Sequence, residues 1–518
     1  MDYAQYLSDI SFRFIQPDQT PGGDGWFMAA RGDGSAVKLL PLPGIPLDLY
    51  NCRLPADEAA TRRALRDVCR IPRMSTFAIG ALIQRGVGQL APGQAFVNVG
   101  VWNGFTFLSG VAGNPDKICV GIDNFSQFGG PRDAFGERFR RLKGPGHQFH
   151  DGDYQEYFSR VHSGPIGFYI YDGEHSYANQ LRGLEVAEPF LAEGGIIFVD
   201  DTNWIEPWQA TMDFVARSPY EYGILLDRVT AGNAHPTFWN GAMVLRRGAK
   251  KTSRTAAAVS PSAARRREPP AGAPGQPRWE SFIAPEQRGP SVPKVSVIVD
   301  GRAAGESLHA AIGDALALTY PNTEVIVTCG KAEAGRIGAY GERVVAVPLD
   351  QARGAGDFLA GLDASHGEFA CFMGGTDRLP PHAVEIALNL SRDLPETMHA
   401  GGEWWEEVCS ALAEITAVVP RGDTFILADE NRFGLGREVL GRRVLPFVER
   451  DGQYWGPPPD PATAVRELGR LRAAGAGWIA FARHAFWWLE HYAELAAHLR
   501  SGHRTAAAGD RVVVFDLR

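Results

Sequence analysis

Cysteine is scarce and unpatterned in this chain. Cys52, Cys69, Cys119, Cys329, Cys371 and Cys409 are scattered over 518 positions with no Cys-x-x-Cys pair. That spacing excludes an ordinary zinc site and a disulfide framework, and it fits a reducing cytoplasm. Basic residues are not in excess: the formal net charge is -8, which argues against a nucleic-acid partner held by phosphate contacts. Long apolar runs are missing as well. Nothing approaches the roughly 20 uncharged apolar residues of a membrane span, and the opening MDYAQYLSDISFRF has neither the basic nor the apolar region of a secretory leader. The expectation is a cytoplasmic protein with no membrane span. What is abundant is core material: 45% hydrophobic residues over this length implies two to four cores of about 100–200 residues each.

One stretch cannot supply a core. From Ala249 to about Pro290 the chain is rich in Pro, Ala, Arg and Ser and poor in large aliphatics, so it reads as a linker over 249–292. Its Arg265, Arg266 and Arg267 read as a solvated run. Before it, AFVNVG, KICVGID, GPIGFYIYDG, GGIIFVDD and NGAMVLRR alternate with helical patterns. This alternation predicts an open, mostly parallel sheet covered by helices on both faces. Ligands bind such sheets at the carboxyl ends of the strands, where Asn98, Gly100, Asp123, Asp153, Asp172, Asp200 and Asp201 fall.

The stretch FVNVGVWNGFTF, residues 96–107, predicts a buried strand, a bare turn at Gly100 and Gly104 with Trp102 between them, and a helix start. Such a turn cradles a nucleotide-like ligand, although glycine turns of this kind also serve NAD, FAD and nucleotide-sugar proteins. Asp123 follows at roughly the 20-residue interval where a carboxylate accepts ribose hydroxyls. In DGDYQEYF, Asp153 lies where an adenine edge would sit; equally, Asp151 and Asp153 begin a helix as caps.

Together, VNVGVWNGFTF, GIDNFSQFGGPRDAF, YDGEHSYANQLRGLEVAEPFLAEGGIIFVDDT and HPTFWNGAMVL resemble class I S-adenosylmethionine-dependent methyltransferases of the subgroup with an Asp-Gly-x-His-Ser-Tyr motif. The resemblance runs from about Ile71 to Arg247. It implies that Gly100, Trp102 and Gly104 line the methionine and ribose of the cofactor, that Asp123 holds the ribose, and that Asp153 faces the adenine. Asn98 stands where the family usually has an acidic residue near the cofactor's amino group. Loss of that charge pairing is worth about 1–3 kcal/mol.

Asp172 ends one predicted strand and Asp200 with Asp201 ends the next, so the three would reach one hard cation. Oxygen ligands of this kind suit Mg²⁺, which lowers the pKa of an acceptor hydroxyl and orients it. Alternatively Asp172 opens a turn with Gly173 and Asp201 caps the next segment. His175 is the candidate general base, or a residue that orients Asp172; His235 is a weaker candidate. Trp204, Trp208 and Trp239 would stack on sugars or phenols, or pack in the core. IPRMSTFAIGALI would place Met74, Ser75 and Thr76 near the cofactor, or simply form a packing helix.

Beyond the linker, KVSVIVDG, NTEVIVTCG, RVVAVPLD and GEFACFMGGTD read as strands. They resemble the nucleotide-binding half of a family-2-type glycosyltransferase, but only Asp377 remains of its metal-binding acidic pair, which implies a degenerate, non-catalytic module. The last stretch, with FWWLEHYAELAAHLR as a helix and VVVFDL as a final strand, resembles a small α/β module appended to glycan-synthesis proteins. His484, His491 and His498 at seven-residue spacing would lie about 10 Å apart on a helix and share no ion. The expected fold class is therefore α/β: a Rossmann-like methyltransferase domain over 1–248, a linker, and two smaller α/β domains over 293–400 and 401–518. The expected activity is Mg²⁺-assisted O-methylation of a saccharide or glycosylated metabolite, with glycan-assembly proteins as partners and an oligomer compatible with the sequence. A bifunctional methyltransferase/glycosyltransferase and a non-catalytic scaffold are the alternatives.

Overall fold

The computed structural model describes residues 1–22, 25–42, 44–55, 58–127, 130–251, 293–301, 306–349, 358–390, 402–433, 438–450 and 453–518. The linker expected over 249–292 lies outside the described residues from 252 onward. Two units are present, one drawn from Met1–Leu39 and Ile45–Gly289, the other from Leu40–Gly44, Pro290–Thr397 and Gly402–Arg518. No helix among the described residues is long and apolar enough to cross a membrane.

The main sheet of the first unit has seven strands among the described residues: β1 Ala95–Val99, β2 Ile118–Asp123, β3 His147–Asp151, β4 Ile166–Tyr171, β5 Leu191–Asp200, β6 Tyr220–Arg228 and β7 Ala242–Lys250. Their order is β3-β2-β1-β4-β5-β7-β6. The first five run parallel, while β7 is antiparallel to both β5 and β6. Six helices connect or cover them: α1 Phe77–Gly88, α2 Phe105–Val111, α3 Arg132–Leu142, α4 Tyr154–Arg160, α5 Tyr177–Ala187 and α6 Ile205–Arg217.

Side chains alternate across a strand, and here both faces are buried. Phe96, Phe168, Ile170, Phe198 and Val244 share one core with apolar residues of α1, α2 and α3. Val97, Val99, Tyr169, Tyr171, Ile197 and Leu245 share another with residues of α4, α5 and α6. Continuous apolar runs rather than alternation follow from this two-sided cover. Helix glycines admit the sheet's rings: a Cβ on Gly86 would overlap Phe168, on Gly110 would overlap Phe96, and on Gly183 would overlap Tyr171.

The entry to α1 is pinned by a buried ion pair. Arg73 donates Nη1 to Asp48 Oδ2 at 2.9 Å and Nη2 to Asp48 Oδ1 at 2.8 Å. Asp48 Oδ2 also accepts the Phe77 N–H at 2.5 Å, which places a negative charge at the helix N-terminus. Both side chains are essentially unexposed.

In the second unit β8 Val295–Asp300, β9 Thr323–Gly330, β10 Val344–Leu349 and β11 Phe369–Gly374 form parallel strands in the order β10-β9-β8-β11. The Asp377 carboxylate closes the turn after β11, its Oδ2 accepting the Gly374 N–H at 2.7 Å. A second sheet contains the parallel strands β12 Thr424–Ala428, β13 Arg442–Pro446 and β14 Trp478–Ala482, with β12 central. FWWLEHYAELAAHLR does not form the single helix its periodicity predicts. It breaks at Tyr492 between Trp487–His491 and Ala493–Gly502, where the Tyr492 hydroxyl donates to the Pro458 carbonyl at 2.7 Å.

Candidate active site

The carboxyl ends of β1, β2, β4 and β5 form one rim. The turn after β1 is shaped by close backbone approach: Gly100 sits at φ +80°, and a Cβ there would overlap the Asp172 carbonyl. The Gly100 N–H donates to Ile122 O at 2.9 Å, and the Asp172 N–H donates to Val99 O at 2.8 Å. Gly104, also at positive φ, leads into α2, whose Thr106 hydroxyl donates to Asp172 Oδ2 at 3.2 Å. The glycine turn and the strand that ends in Asp172 are thus one folded piece.

Asn98 is fully buried under this turn. Its Nδ2 donates to Gly100 O at 2.8 Å and Val99 O at 3.2 Å. Those two carbonyls fix the amide's orientation, and Oδ1 is left buried without a hydrogen-bond partner among the described residues. Asp123 holds the turn from the other side: Oδ2 accepts the Val101 and Trp102 N–H groups, each at 2.7 Å, and Oδ1 accepts the Phe125 N–H at 2.6 Å. Trp102 takes a positive φ of 45°. Asp153 caps α4, its Oδ1 accepting the N–H groups of Gln155 at 2.9 Å and Glu156 at 3.0 Å.

Four ionisable groups converge on the rim. His175 Nε2 lies 3.7 Å from Asp172 Oδ1, 3.8 Å from Asp200 Oδ1 and 3.5 Å from Asp201 Oδ2. Ligand atoms of Asp172, His175 and Asp200 fall within 4.8 Å of one another. His175 Nδ1 pairs with Gln180 Oε1 at 3.2 Å, which directs Nε2 toward the acids. Burial opposes a charged imidazole, but the surrounding carboxylates outweigh it and push the His175 pKa up to about 10. Burial, then the charges of Asp172 and Asp201, raise Asp200 well above the carboxylate range. Burial also raises Asp201. Asp200 Oδ1 has no hydrogen-bond partner among the described residues. Such large shifts concentrated in one place are typical of functional sites.

The structure therefore brings Asp172, His175, Asp200 and Asp201 together and sets Asn98, Gly100, Trp102, Gly104 and Asp123 around the adjoining turn. Trp204 caps α6 at the rim, 41% exposed, with its ring edge-on to His175 at 6.3 Å. Trp239 is buried. His235 lies apart from the carboxylates: its Nδ1 meets Thr237 Oγ1 and its Nε2 meets Gln19 O, each at 2.8 Å, and burial holds its pKa down. Sequence reasoning missed Thr106, Gln180 and Asn240. Of these only Asn240 carries a local signal, an Asn-Gly pair ahead of an apolar run.

Residues 97–202, which span the glycine turn, Asp123, Asp172, His175, Asp200 and Asp201, match the family model described as a methyltransferase domain. No curated protein sequence matches the chain. Among solved structures it is similar to cofactor-bound Rv0187 from MTB, at 16% identity and a TM-score of 0.29, covering 36% of this chain and 88% of that one. It is also similar to a Corynebacterium glutamicum protein, at 17% identity and a TM-score of 0.28, covering 37% and 91%. A third similarity is to the O-methyltransferase NovP, at 16% identity and a TM-score of 0.26, covering 33% and 78%.

Proposed function

We propose that the first unit methylates a hydroxyl of a saccharide or glycosylated metabolite, with a divalent cation, Mg²⁺, assisting. The observation that carries this reading is the convergence of Asp172, Asp200, Asp201 and His175 beside the glycine turn. The residues present fit both groups. Asn98 Oδ1, buried without a hydrogen-bond partner among the described residues, suits the ammonium of a methionine moiety. Asp123 and Asp153 retain lone pairs for ribose and adenine groups beyond the backbone bonds they accept. Asp172, Asp200 and Asp201 supply hard oxygen donors, among them Asp200 Oδ1, which has no hydrogen-bond partner among the described residues.

S-adenosylmethionine supplies an electrophilic methyl on a sulfonium. A bound divalent cation supplies positive charge that favours an ionised acceptor hydroxyl. The chain's own residues do the rest. Thr106 and the strand ladder hold Asp172 in place, and Gln180 fixes the His175 ring. His175 Nε2 holds a proton while three carboxylates face it, and becomes an acceptor for the hydroxyl proton only when another positive charge offsets them. Trp204 and the 53%-exposed Ile205 give the rim an apolar surface that suits the flat face of a sugar ring.

For residues 293–400 we propose a partial, glycosyltransferase-like module without catalysis of its own. In support, the carboxylate of Asp377 is already engaged by the turn it closes. Docking to glycan-assembly proteins is the role we propose for the two later modules.

Isothermal titration of S-adenosylhomocysteine into the full chain, with and without Mg²⁺, tests the proposal. Micromolar binding, with Mg²⁺ affinity lost in Asp172→Asn, is the expected result. No S-adenosylhomocysteine binding in either condition would leave a scaffold role instead.

A further inference from the structure

We infer that Asn240, in the loop between β6 and β7, is a positioning residue that holds the Asp201 carboxylate in the geometry a divalent cation needs. The inference rests on the metal-assisted reading above. Asp201 follows β5 at a positive φ of 52°, a conformation aspartate tolerates better than most residues, so what needs a restraint is the carboxylate rather than the backbone. Asn240 supplies the restraint: its Nδ2 donates to Asp201 Oδ1 at 2.8 Å. The amide cannot turn over, because its own Oδ1 accepts the Ala234 N–H at 2.7 Å. Reversal would set the amide oxygen against a carboxylate and its NH₂ against a backbone donor.

The loop itself is anchored on both sides. The Asn240 carbonyl accepts the Asn203 N–H at 2.7 Å. Asn203 Nδ2 donates to Thr230 Oγ1 at 2.8 Å, and Asn203 Oδ1 accepts the Thr230 N–H at 3.1 Å. Gly241, at φ +89°, packs so closely that a Cβ would stand 2.6 Å from Asn203 Oδ1. Trp239 and Gly241, on either side of Asn240, are both at positive φ.

The consequence for the site is geometric. With Oδ1 bound to the amide, Asp201 presents Oδ2 toward His175 at 3.5 Å, so it offers one oxygen to the rim.

The test measures Mg²⁺ affinity of the full chain saturated with S-adenosylhomocysteine for wild type, Asn240→Ala, Asp201→Ala and the double variant, with S-adenosylhomocysteine affinity in the absence of Mg²⁺ as the control. Partners that orient a metal ligand typically change affinity by about 10–100-fold, and that loss is expected of Asn240→Ala with the control unchanged. In the Asp201→Ala background, removing Asn240 should add less than about threefold, since a positioning residue has nothing left to position. Where Asn240→Ala fails the control through misfolding, Asn240→Ser, which keeps a small polar side chain in the loop, takes its place with the same expected loss. Wild-type Mg²⁺ affinity in a variant that passes the control overturns the positioning role and leaves the metal site standing, as do losses that multiply independently in the double variant. If wild type itself binds S-adenosylhomocysteine but no Mg²⁺, the metal-assisted reading falls and takes this inference with it.

Discussion

Replacing Asn98 by aspartate restores the acidic residue that the methyltransferase resemblance leads one to expect, and the structure predicts that the change is harmful. The Asn98 amide donates to two carbonyls, Gly100 O at 2.8 Å and Val99 O at 3.2 Å, in a fully buried position. A carboxylate there loses both bonds, worth about 0.5–1.5 kcal/mol each, and places a charge against two carbonyl oxygens. A buried charge without a partner adds several kcal/mol, so a net loss of about 3–5 kcal/mol of stability is expected without ligand. The introduced carboxyl group should answer by holding its proton. Its folded pKa is then raised above the unfolded value of about 3.9, the folded state binds more protons, and the penalty grows as pH rises from about 4 toward neutrality. The assay is thermal unfolding of the full chain between pH 5 and 8, with and without S-adenosylhomocysteine, beside Asn98→Ala as the uncharged control. An Asn98→Asp protein as stable as wild type at pH 8, or one binding the ligand tenfold more tightly without loss of stability, would refute the argument that Nδ2 locks the turn.

Three further outcomes are expected. Gly100→Ala should abolish S-adenosylhomocysteine binding in titration calorimetry and lower the melting temperature, because a Cβ overlaps the Asp172 carbonyl at a positive φ; binding within threefold of wild type would contradict this. Asp48→Ala should cost about 3–5 kcal/mol in denaturant unfolding by leaving the Arg73 guanidinium buried and unpaired, and Asp48→Ala with Arg73→Met should recover part of it. His235 is buried and held below its ordinary pKa, so the unfolded chain takes up the proton first as the pH drops. Its share of stability is full above about pH 6.5 and is lost on acidification below that; His235→Gln should flatten the fall in melting temperature between pH 7 and 5.

The parallel strands were legible because burial on both faces turns them into unbroken apolar runs, as in Phe168–Tyr171. The edge strands β3 and β6 were not. His147–Asp151 and Tyr220–Arg228 carry Gln, Glu, Asp and Arg on exposed positions, and pairing with a neighbour rather than composition makes them strands. The three carboxylates were legible as strand ends, since the chain's polarity changes sharply where a buried strand meets the rim. Asn240 was not, because its partner is 39 residues away and the antiparallel pairing of β7 with β5, Ala242 opposite Asp200, brings the two together. Asp123 shows the same limit. Its position beyond the turn could be counted along the sequence, but its three backbone hydrogen bonds depend on Val101, Trp102 and Phe125 curling around it.

The glycines that admit aromatic rings, Gly86 against Phe168, Gly110 against Phe96 and Gly183 against Tyr171, also constrain how this chain can drift over generations. In each pair a single volume is divided between a helix and a strand, and neither half can grow unless the other shrinks. Gly183→Ala alone is excluded by the Tyr171 ring, yet it becomes admissible once Tyr171 has been replaced by a smaller residue. Descendants of this sequence should therefore change these positions two at a time, leaving a record of helix-to-sheet contacts in paired substitutions.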